Sequence, residues 1–144
     1  MVRAFSLAGL LRLRHLEQDA AVGALSAANA RLRENQIRRA RIRAELAGGE
    51  AQPTDRLALT AVAVARSSAR GMLAELEALG SIEAEAVERA TAALTTARMK
   101  TVGLEKLAEK HHVEVVASDL KTEQSAIDEL ASTAWHRNRE SEAT

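Results

Sequence analysis

The sequence predicts an all-α protein, an elongated antiparallel two-helix coiled-coil hairpin with a short middle helix near its tip. Three observations carry this reading. Hydrophobic residues make up 47% of the 144, yet aromatics are only 1%, Phe5 and Trp135, so the apolar content is mostly Ala and Leu. A globular core usually takes much of its buried area from large aromatics, whereas Ala, Leu, Arg and Glu favour long helices packed side by side. There is one proline. Apolar residues also recur at alternating spacings of three and four along two long segments, the signature of a helix that needs a partner helix.

The first helix is expected over 6–47, with Ser6 as a plausible N-cap and one internal glycine, Gly23, beside Gly9 near its start. Gly48-Gly49 followed by EAQP should stop it, because two successive glycines weaken a helix and favour its C-terminal cap and proline cannot continue one. Thr54 or Asp55 then caps a second start. A break and a short middle helix are expected over 48–71, since Ser67, Ser68 and Gly71 mark a soft point. A long helix follows over 72–137, and 138–144 should fray. All of it reads as a single coiled-coil domain over 1–144.

Helices of this length need an apolar seam to be stable in water. On the first helix the seam runs through Leu11, Leu25, Leu32, Ile42 and Leu46, with Arg14, Gln18, Asn35 and Arg39 as polar interruptions. On the last it runs through Met72, Leu76, Leu79, Ala86, Ala93, Leu104 and Leu107, interrupted by Glu83 and Lys100. Laid antiparallel, the two lists pair Leu46 with Met72, Ile42 with Leu76, Leu32 with Ala86, Leu25 with Ala93, and Leu11 with Leu107. Asn35, Arg39 and Glu83 would then form a polar patch that fixes alignment.

The same register gives RLRENQIRRARIR (31–43) a counterpart. Six of its thirteen residues are arginine, and the neighbouring stretch 75–87, ELEALGSIEAEAV, holds Glu75, Glu77, Glu83 and Glu85 without a base. Exposed pairs are worth only about 0.3–0.5 kcal/mol each, so they choose a register and do not hold the fold. A slip by one heptad stays open, because Glu45 falls near Glu75 and Arg31 near Arg89. Beyond about Val113 the last helix has outrun the first, yet Leu120, Ile127, Leu130 and Ala134 continue an apolar stripe that implies a binding partner, with fraying or packing on a second copy as the alternative.

Several function classes are disfavoured. Twenty basic and twenty acidic residues leave no net charge for a polyanion, and the 31–43 arginines are spread around the helix with no aromatics between them for base stacking, so nucleic-acid binding is a minor alternative. The chain contains no cysteine, and His111 and His112 are adjacent and diverge on a helix, so no metal site is expected. No Gly-rich phosphate loop, nucleophile turn or carboxylate pair suggests an enzyme or a cofactor. No apolar run approaches the ~20 residues that span a bilayer. The signal-like start MVRAFSLAGLLRLR is interrupted by Arg12 and Arg14, which makes a cytoplasmic protein without membrane insertion the expectation.

The stretches LTTARMKTVGLEKLAEKH (94–111) and EQSAIDELA (123–131), with the start SLAGLLRLRHLEQDAA (6–21), resemble the FliJ family of flagellar export chaperones. The resemblance covers most of the chain and rests on the order of its parts. It implies a non-enzymatic component of flagellar type III protein export, a stalk-like coiled coil that couples the hexameric export ATPase to the membrane export gate. It further implies peripheral association with the inner face of the cell membrane at the flagellar base and handling of filament-protein chaperones. On this chain the ATPase-binding end falls on Phe5, Arg12, Arg14, Lys106, Lys110 and Trp135. The gate-contacting face falls on Ser68, Met72, Glu75 and Leu79, without the aromatic usual there. A generic coiled-coil adaptor or stalk of another rotary or secretion system is the alternative.

Overall fold

The computed structural model describes residues 6–48 and 52–142. Among these the chain is all helical: α1 spans Ala8–Ala47 and α2 spans Arg56–Glu142, and the two pack against each other as a helical hairpin. The chain divides into two compact units. One, here the turn unit, is Leu16–Met99; the other, the terminal unit, joins the residues up to His15 with those from Lys100 onward.

Helix boundaries follow capping chemistry. The first bond of α1 runs from the Leu11 amide to the Leu7 carbonyl, which places the cap at Leu7, one residue beyond the expected Ser6. At the other end Gly48 closes the last bond, onto the Ala44 carbonyl. Asp55 starts α2: its carboxylate accepts a hydrogen bond from the Ala58 amide at 2.7 Å, and its carbonyl accepts one from Leu59. That side chain satisfies one of the donors a helix start leaves orphaned.

Two expected boundaries are corrected. There is no separate middle helix before 71, because α2 runs unbroken from Arg56 through Ser67, Ser68 and Gly71. An isolated glycine costs only about 1 kcal/mol relative to alanine in a helix. Ala69 and Leu73, shielded on either side of it, hold the segment to its neighbour. The expected fraying from 138 is also displaced, since the helix continues to Glu142. The Arg139 guanidinium lies 4.6 Å from the Trp135 ring centre, one helical turn back, and ties that last stretch together.

In the turn unit, the shielded residues of α1 are Gln18, Ala21, Leu25, Ala28, Leu32, Asn35, Arg39, Ile42 and Leu46, the seam read from the sequence. The facing seam of α2 differs from expectation. Leu73, Gly80, Val87 and Leu94 are shielded, together with Leu76, Glu83, Ala86, Ala90 and Ala97, while Met72, Leu79 and Ala93 are exposed. The register follows: Asn35 faces Gly80 instead of Glu83, a slip of three residues. At this register Ile42 falls level with Leu73, Leu25 with Ala90, and Ala21 with Leu94, so large side chains still alternate with small ones across the seam.

The terminal unit obeys the same offset on its own evidence. Thr101 is buried, and its hydroxyl donates a hydrogen bond to the Arg14 carbonyl at 3.3 Å. Leu11, Arg14, Leu104, Ala108 and His111 are shielded, whereas Lys100 and Leu107 are exposed. The physical reason for the slip is polar. Pairing Leu11 with Leu107 would have set Arg14 against Leu104; the observed register gives it a threonine, whose hydroxyl uses a free lone pair of the helix carbonyl. Apolar counting rewards Met72, Leu79 and Leu107, but it does not see what the polar seam residues require.

Candidate helix-docking groove

The polar layer of the turn unit positions the site. Asn35 is 3% exposed, and its amide nitrogen donates to the Leu76 carbonyl at 2.9 Å, a bond between the two helices. That approach requires the neighbouring residue to be glycine: a Cβ on Gly80 would stand 2.9 Å from Asn35 Oδ1 and 3.3 Å from an Arg39 guanidinium nitrogen. Arg39 and Glu83 complete the layer, as the sequence suggested. Asn35 Oδ1, Arg39 Nε and Glu83 Oε2 are all buried without a hydrogen-bond partner among the described residues.

Glu77 clamps the same level from outside. Its carboxylate takes Arg43 at 2.7 Å and Arg39 at 3.7 Å, which joins α2 to the basic run of α1. Glu85 and Arg38 act differently from expectation, while Glu83 keeps its expected place. Glu85 pairs with Arg89 on its own helix, and Arg38 is taken by Glu34 on α1. Glu83 lies in the seam. Arg31, Arg33 and Arg41 make no ion pair among the described residues, and their positions on the helix do not share one face.

Because the seam turns toward Leu73, Leu76 and Gly80, the residues one place before it are turned outward. Ser68, Met72, Glu75 and Leu79, the four positions implied to meet a membrane gate, are all exposed, with Met72 at 53% and Leu79 at 44%. Met72, Glu75 and Leu79 line an open groove of ≈ 670 Å³ with Ile37, Ile42 and Leu76. The floor of this groove is apolar. Glu34, Arg38, Arg41 and Glu45 form its α1 wall, a sequence of charges negative, positive, positive, negative. Its size suits the apolar edge of a third helix better than a small molecule enclosed on all sides.

Of the residues implied at the ATPase-binding end, Trp135 lies far along α2 from Lys106 and Lys110. Phe5 lies outside the described residues. Arg12, Lys106 and Lys110 are exposed, Lys110 with Glu114 at 3.9 Å, while Arg14 is partly shielded in the seam. Close to Arg14, His15 Nε2 stands 3.5 Å from a Glu105 carboxylate oxygen. Trp135 is exposed, stacked edge-on against His136 and covered by Arg139. It stands roughly 37 Å along α2 from Lys110 at 1.5 Å per residue, so a single partner touching both would need a long surface.

Sequence reasoning missed the groove because it put Met72 and Leu79 in the seam. One signal pointed the other way: an isolated glycine in an otherwise unbroken helical pattern usually marks close packing, and Gly80 is such a residue. Among the described residues there is no group of three or more His, Asp or Glu able to hold a metal ion, and no helix is long and apolar enough to cross a membrane. No protein-family model, curated protein or solved structure matches this chain.

Proposed function

We propose that this protein is a non-enzymatic adaptor whose helical hairpin holds a partner helix in the groove bounded by Ile37, Ile42, Met72, Leu76 and Leu79. The observation that supports this is the outward rotation of Met72 and Leu79 beside a seam that does not need them. Large apolar side chains left on a concave edge favour an amphipathic helix, anchored at spacings of three and four. The wall of Glu34, Arg38, Arg41 and Glu45 selects a partner helix with the opposite charge order, and like charges there reject the wrong one.

In its more specific form, the reading is a cytoplasmic export component. It couples a hexameric flagellar-type export ATPase to the cytoplasmic domain of the membrane export gate, with filament-protein chaperones as further partners. This form rests on the residue resemblance and on three of the four implied gate-contacting positions, Met72, Glu75 and Leu79, lining the groove. A generic coiled-coil adaptor of another secretion or rotary system uses the same groove.

The test has two stages. Titrating the cytoplasmic domain of an export gate protein into this protein should show binding that Met72→Ser with Leu79→Ser weakens by tenfold or more. The unchanged helix signal of that variant would show that the hairpin persists. Adding the protein to purified export ATPase should raise hydrolysis. No binding to either component removes the export reading. If the double variant then also leaves every partner recovered by cross-linking at the groove untouched, the adaptor reading fails too.

A further inference from the structure

From 116 to 139 every side chain of α2 is exposed, yet the segment keeps a regular apolar spacing. Val113, Val116, Leu120, Ile127, Leu130 and Ala134 fall at steps of three and four, with Glu123 at the one position between Leu120 and Ile127 where an apolar residue is missing. Leu120, Ile127 and Leu130 are 60%, 64% and 71% exposed. A helix with such a stripe and no partner is marginal in water. No described residue covers it.

The flanks of the stripe say what can. Ala117, Gln124 and Ala131 border it on one side and Asp119, Ala126 and Thr133 on the other. These are mostly small and uncharged, so another helix can come close without meeting a row of like charges. Partner-specific coiled coils instead carry charges there. The one charge inside the stripe, Glu123, favours an antiparallel copy. With Leu120 level with Leu130 of the second chain, Val116 comes level with Ala134 and Glu123, the one acid in the stripe, with Ile127, while Glu114, Lys121, Asp128 and Glu129 lie on the outer face of the helix. No acid in the overlap stands level with another acid. A parallel, in-register copy would instead set Glu123 against Glu123 inside the interface, two like charges taken out of water together.

We propose that the segment 113–137 of α2 is a self-association surface, covered by the same segment of a second copy running antiparallel. It is independent of the groove, which belongs to the turn unit, and either proposal can fail alone.

The test uses the full chain, which has no cysteine of its own. Sedimentation equilibrium should show a monomer–dimer equilibrium. Because Ile127 meets Glu123 of the other copy, Ile127→Lys should retain the dimer, whereas Ile127→Glu should weaken it by tenfold or more. Ile127 is 64% exposed, so neither variant should disturb the hairpin, and any helix lost by Ile127→Glu should be confined to the segment that loses its partner. Mixed under oxidising conditions, a Leu120→Cys chain and a Leu130→Cys chain should link to each other faster than either links to itself. A protein that stays monomeric at about 100 μM overturns the proposal, and then only a different partner can cover the stripe. Preferential linking of Leu120→Cys chains among themselves overturns the antiparallel arrangement.

Discussion

Gly80→Ala is the sharpest perturbation of the turn unit, because two effects of similar size oppose each other. Replacing a mid-helix glycine by alanine stabilises a helix by about 1 kcal/mol. Here the new methyl would stand 2.9 Å from Asn35 Oδ1, closer than such contacts allow, so the amide must move. Moving it breaks the 2.9 Å bond to the Leu76 carbonyl in a position only 3% exposed. A buried amide left without its partner costs about 1–3 kcal/mol. The net expectation is a loss of about 0–2 kcal/mol, which alone is ambiguous. The cycle with Asn35→Ala removes the ambiguity. Without the amide, Gly80→Ala should stabilise by about 1 kcal/mol, giving a coupling of about 1–3 kcal/mol between the two sites. Urea unfolding of the four proteins followed by circular dichroism measures it. Additivity within about 0.5 kcal/mol would refute the packing argument and the register built on it.

Other expectations concern the same seam. Oxidation of paired cysteines should join Leu25→Cys with Ala90→Cys faster than Leu25→Cys with Ala93→Cys; the reverse order would restore the register counted from apolar residues. Glu77→Gln should cost about 0.5–1 kcal/mol at low salt and almost nothing near 1 M salt, where exposed ion pairs are screened, as read by thermal melts. Glu85→Gln, whose partner Arg89 is on its own helix, should leave the register untouched in the cysteine assay. Asp55→Ala removes the acceptor for the Ala58 amide and should cost about 1 kcal/mol, with the first turn of α2 gaining hydrogen exchange and the rest unchanged.

The helical fold was legible because Ala, Leu, Arg and Glu leave few alternatives once the apolar spacing is read. The α1 seam was legible residue by residue, polar members included, since a single helix face fixes all its positions at once. The α2 seam was not. Met72, Leu79 and Leu107 give it a higher apolar count than Leu73, Gly80 and Thr101, but the count treats the facing helix as featureless. Asn35 needs a carbonyl it can reach, and only a glycine opens one. Arg14 brings a carbonyl that a threonine can use. A register is a property of both helices together, and these two polar layers decide it within three residues. The candidate groove followed from the same decision: residues that apolar counting put inside were turned out. The terminal set of Arg12, Lys106, Lys110 and Trp135 came only from resemblance, and helical rise alone sets Trp135 apart from Lys106 and Lys110.

The exposed stripe of the terminal unit carries one further consequence, because stability along these helices is uneven. Leu94 and Ala28 are buried, and the seam beside them protects the turn unit. From 116 to 139 every side chain is exposed, so that segment gains nothing from packing within its own chain. Local opening there should cost close to zero, as it does for helix ends without tertiary contacts. Pairing with a second copy would change that, and only there. Amide hydrogen exchange measured at about 1 μM and about 100 μM should therefore show protection rising for 116–134 while 31–43 keeps its rate, since mass action adds stability only where the bound state makes new contacts. Protection that rises equally in both stretches would mean that association involves the seam or the groove. Protection of 116–134 that is already high and independent of concentration would mean that the helix stands without a second copy, and the stripe would then need another explanation.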